Sequence, residues 1–453
     1  MKTTDIIRRA GRNLKRAKMR TFLTSVAIAV GGFAIMASLM AGEGARQYVD
    51  RIISNNINPS GLMISKDEAV MQAGGSGQKA LREYNPNAVQ AYGQEYKTLS
   101  QDDLEKLRGR SDLKNVEPMY QLQPKYLAFS AKSDKKYICD VMMRDQDIRM
   151  ESLEGKALNR GVQLADDEVA IPEAYLEEIG KSASEVIGTK LTITVEQTPQ
   201  KVDEAKIAEI YLTRGEAGVR ELTEPKKLNK EFTIAAITKK SPDQMTNTPN
   251  TYISPAAAKE LSEFSTLGTD LHQKYITVLA TAADGKDPEE VKKALKDAGF
   301  AALTSKDIQG MLFQFVNVLQ GLVMGFGILA LIVSVFGIVN TQYISVLERT
   351  QQIGLMKALG ASRRDIGRLF RYEAAWVGFL GGALGVLAAW GAGTALNPWI
   401  SEQINLGNHH LLVFRPQFAV AVVLVLMLVA IVAGLLPSRK AAKLDPIEAL
   451  RTE

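Results

Sequence analysis

Cysteine and histidine are nearly absent from this 453-residue chain, which has one and three of them. The lone Cys139 excludes an intrachain disulfide; beside Ile138 and Val141 it reads as a small buried hydrophobe rather than a reactive thiol. His272, His409 and His410 fall short of the three or four convergent ligands that a protein metal site needs. The adjacent pair reads as solvated loop histidines, with a metal site as the alternative. A complete Gly-x-x-x-x-Gly-Lys-Ser/Thr phosphate loop is also missing. Gly180, Lys181 and Ser182 come nearest, but Tyr175 stands where the first glycine is required.

Charge is absent locally. Thr21–Gly42, Ile308–Leu347, Ala374–Ser401 and Pro416–Ser438 each run more than twenty positions without a charged residue. Each exceeds the roughly 20 residues that carry a helix across a bilayer's hydrocarbon core. Mean hydropathy near zero hides this, because residues 43–307 are polar and have no comparable run. The empty spans also remove any carrier for a proton or ion relay, which counts against secondary transport.

What is present sets the orientation. Lys2, Arg8, Arg9, Arg12, Lys15, Arg16, Lys18 and Arg20 precede the first span against the single acid Asp5. Arg349, Lys357, Arg363, Arg364, Arg368 and Arg371 lie between the second and third spans, and Arg439, Lys440, Lys443 and Arg451 follow the fourth. The loop between spans three and four has only Arg415 at its edge. Cations collect on the inner side of membrane proteins, so both termini and residues 348–373 are expected in the cytoplasm and the large domain outside. A first apolar run of this length, with no convincing cleavage site, reads as an anchor rather than a secretory signal. Ile6, Ile7, Ala10, Leu14 and Ala17 recur at helical spacing opposite the arginines, which predicts a basic amphipathic helix on the inner membrane surface.

Between the first two spans the pattern is α+β. Residues 44–53 extend the first helix, Leu62–Ser65 reads as a strand, and residues 66–100, with Gly74 to Gly77 and Asn85 to Asn87, read as an external loop. A helix capped by Ser100, strands over Pro118–Ser130, Lys136–Met143 and Glu168–Ile171, and a helix from Pro172 to Gly180 follow. Further strands cover Lys190–Val195, Glu231–Ile237, Tyr252–Ser254 and Tyr275–Ala280, and Asp287–Gly299 is a capped helix. Residues 196–230 are highly charged and read as an insertion or a protruding hairpin. The second apolar run, about 60 Å long as one helix, exceeds a core of about 30 Å. Gln309, Gln314, Asn317 and Gln320 in its first part therefore suggest a stalk in water; two shorter helices broken at Gly310 or Gly321 are the alternative. Gly321 with Gly325, Gly378 with Gly382, and Gly381 with Gly385 are spaced for close helix packing.

Ile353, Met356, Lys357, Gly360 and Ile366 are spaced for an amphipathic helix with a glycine-permitted turn, exposed where a cytoplasmic partner can dock. The segment Glu348–Ser362 (ERTQQIGLMKALGAS), with Glu373, Ala374, Gly381, Gly382 and Gly385, resembles the core signature of MacB/FtsX-superfamily permeases. The tail Pro437–Arg451 (PSRKAAKLDPIEALR) is similar to that superfamily's ending. The order Glu168–Ile171, Ile187–Ile193 and Phe232–Ile237 resembles a MacB-type periplasmic core domain.

The resemblance implies a type VII ABC transporter permease of the bacterial inner membrane that passes ATP-driven motion to its external domain, called mechanotransmission. It implies four transmembrane helices with a large α+β extracytoplasmic domain between the first two. The expected boundaries are 1–20 amphipathic helix, 21–42 first span, 43–309 external domain with stalk ends, and 310–347 stalk and second span. The coupling segment is then 348–373, the third span 374–397, the outer loop 398–415, the fourth span 416–437 and the tail 438–453. No catalytic, cofactor-binding or metal residue is expected here, ATP and magnesium belonging to a separate ATPase chain. A second permease copy, identical or paralogous, membrane lipid and an external adaptor or lipoprotein are the other implied partners; nucleic acid is not. Glu348, Ile353, Gly354, Lys357, Ala358, Gly360 and Ala361 carry over as ATPase-coupling positions. Export of an antibiotic, peptide or toxin is the leading expectation. Lipoprotein release of the Lol type and FtsX-like regulation of a cell-wall hydrolase are the alternatives.

Overall fold

The structure, a computed structural model, describes residues 3–71, 88–91, 94–197, 204–240, 249–404, 406 and 409–451. The chain divides into two compact units, residues 49–312 and residues 1–48 with 313–453. α1 (Thr3–Arg16) and α2 (Lys18–Asn56) open it, followed by β1 (Gly61–Ser65) and a hairpin of β2 (Ala88–Ala91) and β3 (Gln94–Lys97). Next come α3 (Gln101–Arg108), β4 (Leu113–Pro118), β5 (Pro124–Phe129), β6 (Lys132–Tyr137), β7 (Val141–Met143) and β8 (Ser152–Gly155). β9 (Glu168–Pro172), α4 (Ala174–Ile179), α5 (Ala183–Val186), β10 (Lys190–Glu196) and α6 (Glu204–Thr223) lead to β11 (Lys227–Thr238). β12 (Thr251–Ile253), α7 (Pro255–Thr266), β13 (Val278–Ala282), α8 (Pro288–Asp297) and β14 (Ala301–Thr304) complete the mixed region. The rest is helical: α9 (Ser305–Glu348), α10 (Thr350–Ala358), α11 (Arg363–Gln403), α12 (Pro416–Ala433), α13 (Leu435–Lys443) and α14 (Pro446–Arg451).

The unit of residues 49–312 is built on two larger sheets. One has the order β14-β1-β13-β4, the other β6-β5-β10-β11-β9-β12-β7 with β8 also on β11. Alternation along β10 places Leu191, Ile193 and Val195 in the core, and its antiparallel register sets Leu191 opposite Phe232. β9 runs parallel to β11 and antiparallel to β12, and its two faces lie in separate apolar clusters, Val169 and Ile171 in one and Ala170 in the other, which is why the three form an unbroken apolar run. α3 and α8 cover the smaller sheet with Leu104, Leu107, Val291 and Leu295. Ser100 and Asp103 close a reciprocal capping box at the start of α3, and Asp287 caps α8 ahead of Pro288.

Several expected strands are shorter or longer than their apolar runs. Residues 118–130 split between β4 and β5, and residues 136–143 between β6 and β7, with Ile138 88% exposed at the second break. β10 and β11 pair as far as Glu196 and Lys227, so the charged insertion narrows to the segment bearing α6, which is kinked at Gly215. Part of the expected loop over residues 66–100 is the β2–β3 hairpin, register Ala88 with Lys97. Gly74 to Gly77 and Asn85 to Asn87 lie outside the described residues. Arg144, 1% exposed, donates to the carbonyls of Asp145 (2.8 Å), Ile148 (2.6 Å), Leu158 (3.0 Å) and Asn159 (3.4 Å), tying the segments on either side of β8 to the end of β7.

In the other unit four helices are long and apolar enough to cross a membrane: α2, α9, α11 and α12 continued by α13. α9 is unbroken over 44 residues, about 66 Å; the two-helix alternative is not what forms. α11 is the hub. Its Gly378 and Gly382 face α12, where added Cβ atoms would lie 2.7 Å from Ala430 Cβ and 3.2 Å from Val423 Cα. Its Gly381 and Gly385 face α2, where they would lie 2.7 Å from Ile28 and 2.6 Å from the Ala29 carbonyl. Two glycine pairs offset by three residues thus let one helix approach two neighbours closely. Hydroxyls join the helices as well: Ser38 donates to the Gln320 carbonyl at 2.9 Å and Ser334 to the Ala27 carbonyl at 2.7 Å. Arg46 donates to Asn317 at 2.7 Å and Gln320 at 2.8 Å, which gives partners to two of the polar side chains in the first part of α9.

Candidate functional site

The segment between α9 and α11 folds back on its own unit. α9 ends at Glu348, Arg349 leaves helical geometry, and Thr350 starts α10 while its hydroxyl donates back to Val346 and Leu347 carbonyls at 3.1 and 2.8 Å. α10 stops at Ala358. Gly360 then takes a φ of +95°, a conformation that costs a side chain, and Ser362 caps α11 through a capping box with Asp365. The turn is therefore fixed by Gly360 on one side and Ser362 on the other.

Inward, α10 presents Ile353, which is buried with Val346, Ile366, Phe370 and Ala441, with Met356, Ala361 and Leu444 around them. Gly354 lies against α14: an added Cβ would sit 2.8 Å from the Ala449 Cβ. Lys357 donates to the carbonyls of Ala442 (3.2 Å) and Leu444, supplying cationic donors to the end of α13. The C-terminal tail is thus strapped to the segment at three successive positions.

On the other side Arg349 bridges to Glu373 at 3.1 Å, and Asn13 of α1 donates to the same carboxylate oxygen at 2.6 Å. Arg349 also donates to the Asn13 carbonyl at 3.3 Å. Gln342 and Ser345 join these side chains around a small cavity of about 30 Å³ that Leu14, Ile338 and Val377 also line. Arg20 pairs with Glu348 at 2.6 Å and donates to Ser345 at 3.1 Å. α1 is held on α11 by Ile6 and Ala10, both buried with Leu369. The apolar face expected on lipid is accordingly covered in part by protein, because α11 offers it a fitting apolar surface.

The expected coupling positions fall into two groups. Ile353, Gly354, Lys357 and Ala361 hold α10 to its neighbours, whereas Glu348, Ala358 and Gly360 lie at the surface. The expectation that Ile353 and Ile366 are exposed for docking is corrected: both are core residues, since the α13 and α14 tail covers that face. The exposed apolar face is Leu355 and Leu359, 53% and 81% exposed and four residues apart; Arg363 and Arg364, which open α11 after the turn, are also exposed, as is Ile447 on α14. Sequence reading missed both leucines because apolar periodicity alone does not say which stripe is covered. It also missed Asn13 and Arg349, whose partners are distant in sequence.

The remaining candidates are structural. Gly180 ends α4 in left-handed geometry and Ser182 caps α5, so the near-phosphate loop serves as a helix junction. His272 lies 3.4 Å from the Thr266 hydroxyl, and among the described residues no group of three potential metal ligands converges. Cys139 is half-buried beside the Thr251 hydroxyl at 3.6 Å, and burial pushes its thiol up.

With this geometry in place, comparisons with known proteins are informative. Residues 21–298 match the family model of the MacB-like periplasmic core domain, and residues 324–446 that of the FtsX-like permease C-terminal region. ABC transporter permease YtrF of Bacillus subtilis (strain 168) is 29% identical over 286 residues, 61% of this chain and 64% of that protein. Macrolide export ATP-binding/permease protein MacB of Hahella chejuensis is 34% identical over 163 residues, 36% of this chain and 24% of that one. The chain thus spans less than two thirds of either relative. Among solved structures, the periplasmic region of MacB from Actinobacillus actinomycetemcomitans aligns at 10% identity with a TM-score of 0.31, over 56% of this chain and 94% of that one.

Proposed function

Because the chain belongs to the MacB/FtsX family of membrane permeases, we propose that it is the permease subunit of an ABC transporter whose segment 348–373 receives an ATPase on the cytoplasmic side. The carrying observation is the outward pair Leu355 and Leu359, set on a helix whose inward face is already committed to α11, α13 and α14. Two large apolar side chains exposed one helical turn apart offer a surface suited to a protein groove. A push on α10 acts on α9 through the short Arg349 junction and on α11 through the Gly360 turn, which supports mechanotransmission as the mode of action.

In this reading both termini face the cytoplasm of a bacterial inner membrane, and residues 49–312 face the other side, as the distribution of cations favours. The ATPase is a partner chain that holds the ATP and magnesium, two permease copies act with a pair of ATPases, and the chain itself does no covalent chemistry. The exported substrate is an antibiotic, peptide or toxin, handled by the external unit.

The test is to purify the tagged chain in mild detergent from its native host and quantify co-purifying ATPase. Leu355→Asp with Leu359→Asp is expected to remove the ATPase while insertion and elution profile stay normal. An ATPase retained at full stoichiometry by that variant overturns the docking surface, and no ATPase with the unmodified chain overturns the functional reading.

A further inference from the structure

A second surface in the helical unit is independent of the α10 face. α1, the start of α2 and α11 enclose an open groove of about 1060 Å³. Its apolar side is Phe22 of α2 with Trp376, Leu380 and Leu384, which follow one another at four-residue intervals along one face of α11. Its lining also includes Arg8 and Arg12, one turn apart on α1, and Lys18 at the start of α2. No carboxylate lines it. The three cations are exposed, and none has an ion pair or hydrogen bond among the described residues. Arg20, one turn away from the groove's edge, is by contrast paired with Glu348.

We propose that this groove is a binding site for one anionic phospholipid of the surrounding bilayer, its phosphate on Arg8, Arg12 and Lys18 and an acyl chain along Phe22, Leu380 and Leu384. A groove lined by large apolar side chains and by unpaired cations is complementary in chemistry to such a molecule. The order along α2 agrees: Lys18 precedes Phe22 by about 6 Å of helix, so charge leads and apolar surface follows in the direction of the span. α1 cannot leave α11 without opening the groove, because Ile6 and Ala10 on its opposite side are packed on Leu369. The bound lipid therefore acts as a clamp that holds α1, and with it Asn13, against α11.

The experiment uses the full chain in phosphatidylcholine nanodiscs with Trp390→Phe and Trp399→Phe, leaving Trp376 as the sole indole. Phosphatidylglycerol or phosphatidylcholine with brominated acyl chains is titrated in, and Trp376 quenching is followed. Brominated phosphatidylglycerol is expected to quench saturably at a much lower mole fraction than brominated phosphatidylcholine. Each of Arg8→Gln, Arg12→Gln and Lys18→Gln should reduce the preference about fivefold, the effect of roughly 1 kcal/mol per basic residue at a membrane surface. Gly11→Leu keeps all three cations but fills the groove beside Trp376 Nε1, 3.9 Å from the position of an added Cβ, and should abolish the saturable phase. Equal quenching by the two lipids on the unmutated groove overturns the proposal. So does a preference that survives Gly11→Leu, which would place the anionic lipid in a general belt around the helices.

Discussion

Arg349 and Glu373, 24 positions apart, meet at 3.1 Å with side chains only 16% and 3% exposed. A pair so withdrawn from water contributes little net stability over an apolar pair, but removing one partner strands the other. Glu373→Ala should therefore lower stability by about 3–5 kcal/mol, read as a drop in thermal unfolding midpoint in detergent. Arg349→Met in the same chain should recover most of that loss. Equal destabilisation by Glu373→Ala with and without Arg349 would show that the pair is not coupled.

Gly354 and Ala449 give a separable test of how the tail is held. Helix propensity favours alanine over glycine by about 1 kcal/mol, so Gly354→Ala would stabilise α10 if nothing stood in the way. With an added Cβ 2.8 Å from that of Ala449, a net loss is expected instead. Ala449→Gly in the same chain should turn the loss into a gain. The readout is protease protection of residues 446–451; a Gly354→Ala tail as protected as the wild-type one would refute the contact.

Arg144 replaces backbone pairing for a stretch with little regular structure. Its two terminal nitrogens serve four carbonyls, so Arg144→Met leaves buried acceptors that cost about 1–3 kcal/mol each if they find no substitute. Hydrogen exchange in residues 145–160 should rise by orders of magnitude while that of β10 and β11 changes little. Arg144→Lys should resemble Arg144→Met, since an ammonium cannot span four acceptors arranged for a guanidinium.

Acid should loosen the start of α3 before the sheets. Burial alone would raise the Asp103 carboxyl, but the Lys66 ammonium at 2.6 Å and the Ser100 amide and hydroxyl outweigh it and hold it below the ordinary carboxylate value. A carboxyl depressed in the folded state contributes stability that is complete above its unfolded pKa and is lost as pH falls through its folded one. Stability of the wild-type chain should thus fall below about pH 4, and Asp103→Asn should be less stable at neutral pH and flatter in that acid range. Parallel curves for the two proteins would remove Asp103 from the acid transition.

The membrane helices were legible because length and lack of charge suffice to announce them, and the capped helices α3 and α8 because Ser100, Asp287 and Pro288 are local signals. β9 was legible from an apolar run and β10 from alternation. What local pattern could not supply was pairing: the extension of β11 back to Lys227 depends on β10 lying beside it, and its outer part carries charged residues. The same limit applies to the coupling segment. The Gly360 turn was readable, but the burial of Ile353 and the exposure of Leu355 depend on a tail about 90 residues further on. Asn13 and Arg144 carried no signal, since a polar side chain gives no sign in sequence that it will be buried.

Gly378, Gly381, Gly382, Gly385 and Gly393 of α11 are closely packed by neighbouring segments; most glycines of α9 are not. Side chains added at Gly310, Gly321, Gly325 or Gly337 would meet nothing within 4 Å, whereas Gly327 is packed against Ile35. Each open glycine gives up about 1 kcal/mol of helix propensity relative to alanine without a close contact in return. Its backbone ladder nevertheless runs unbroken from end to end. α9 therefore has the mechanics of a flexible shaft: constant in length along its axis, and softer to bending and torsion than an alanine-rich helix of the same span.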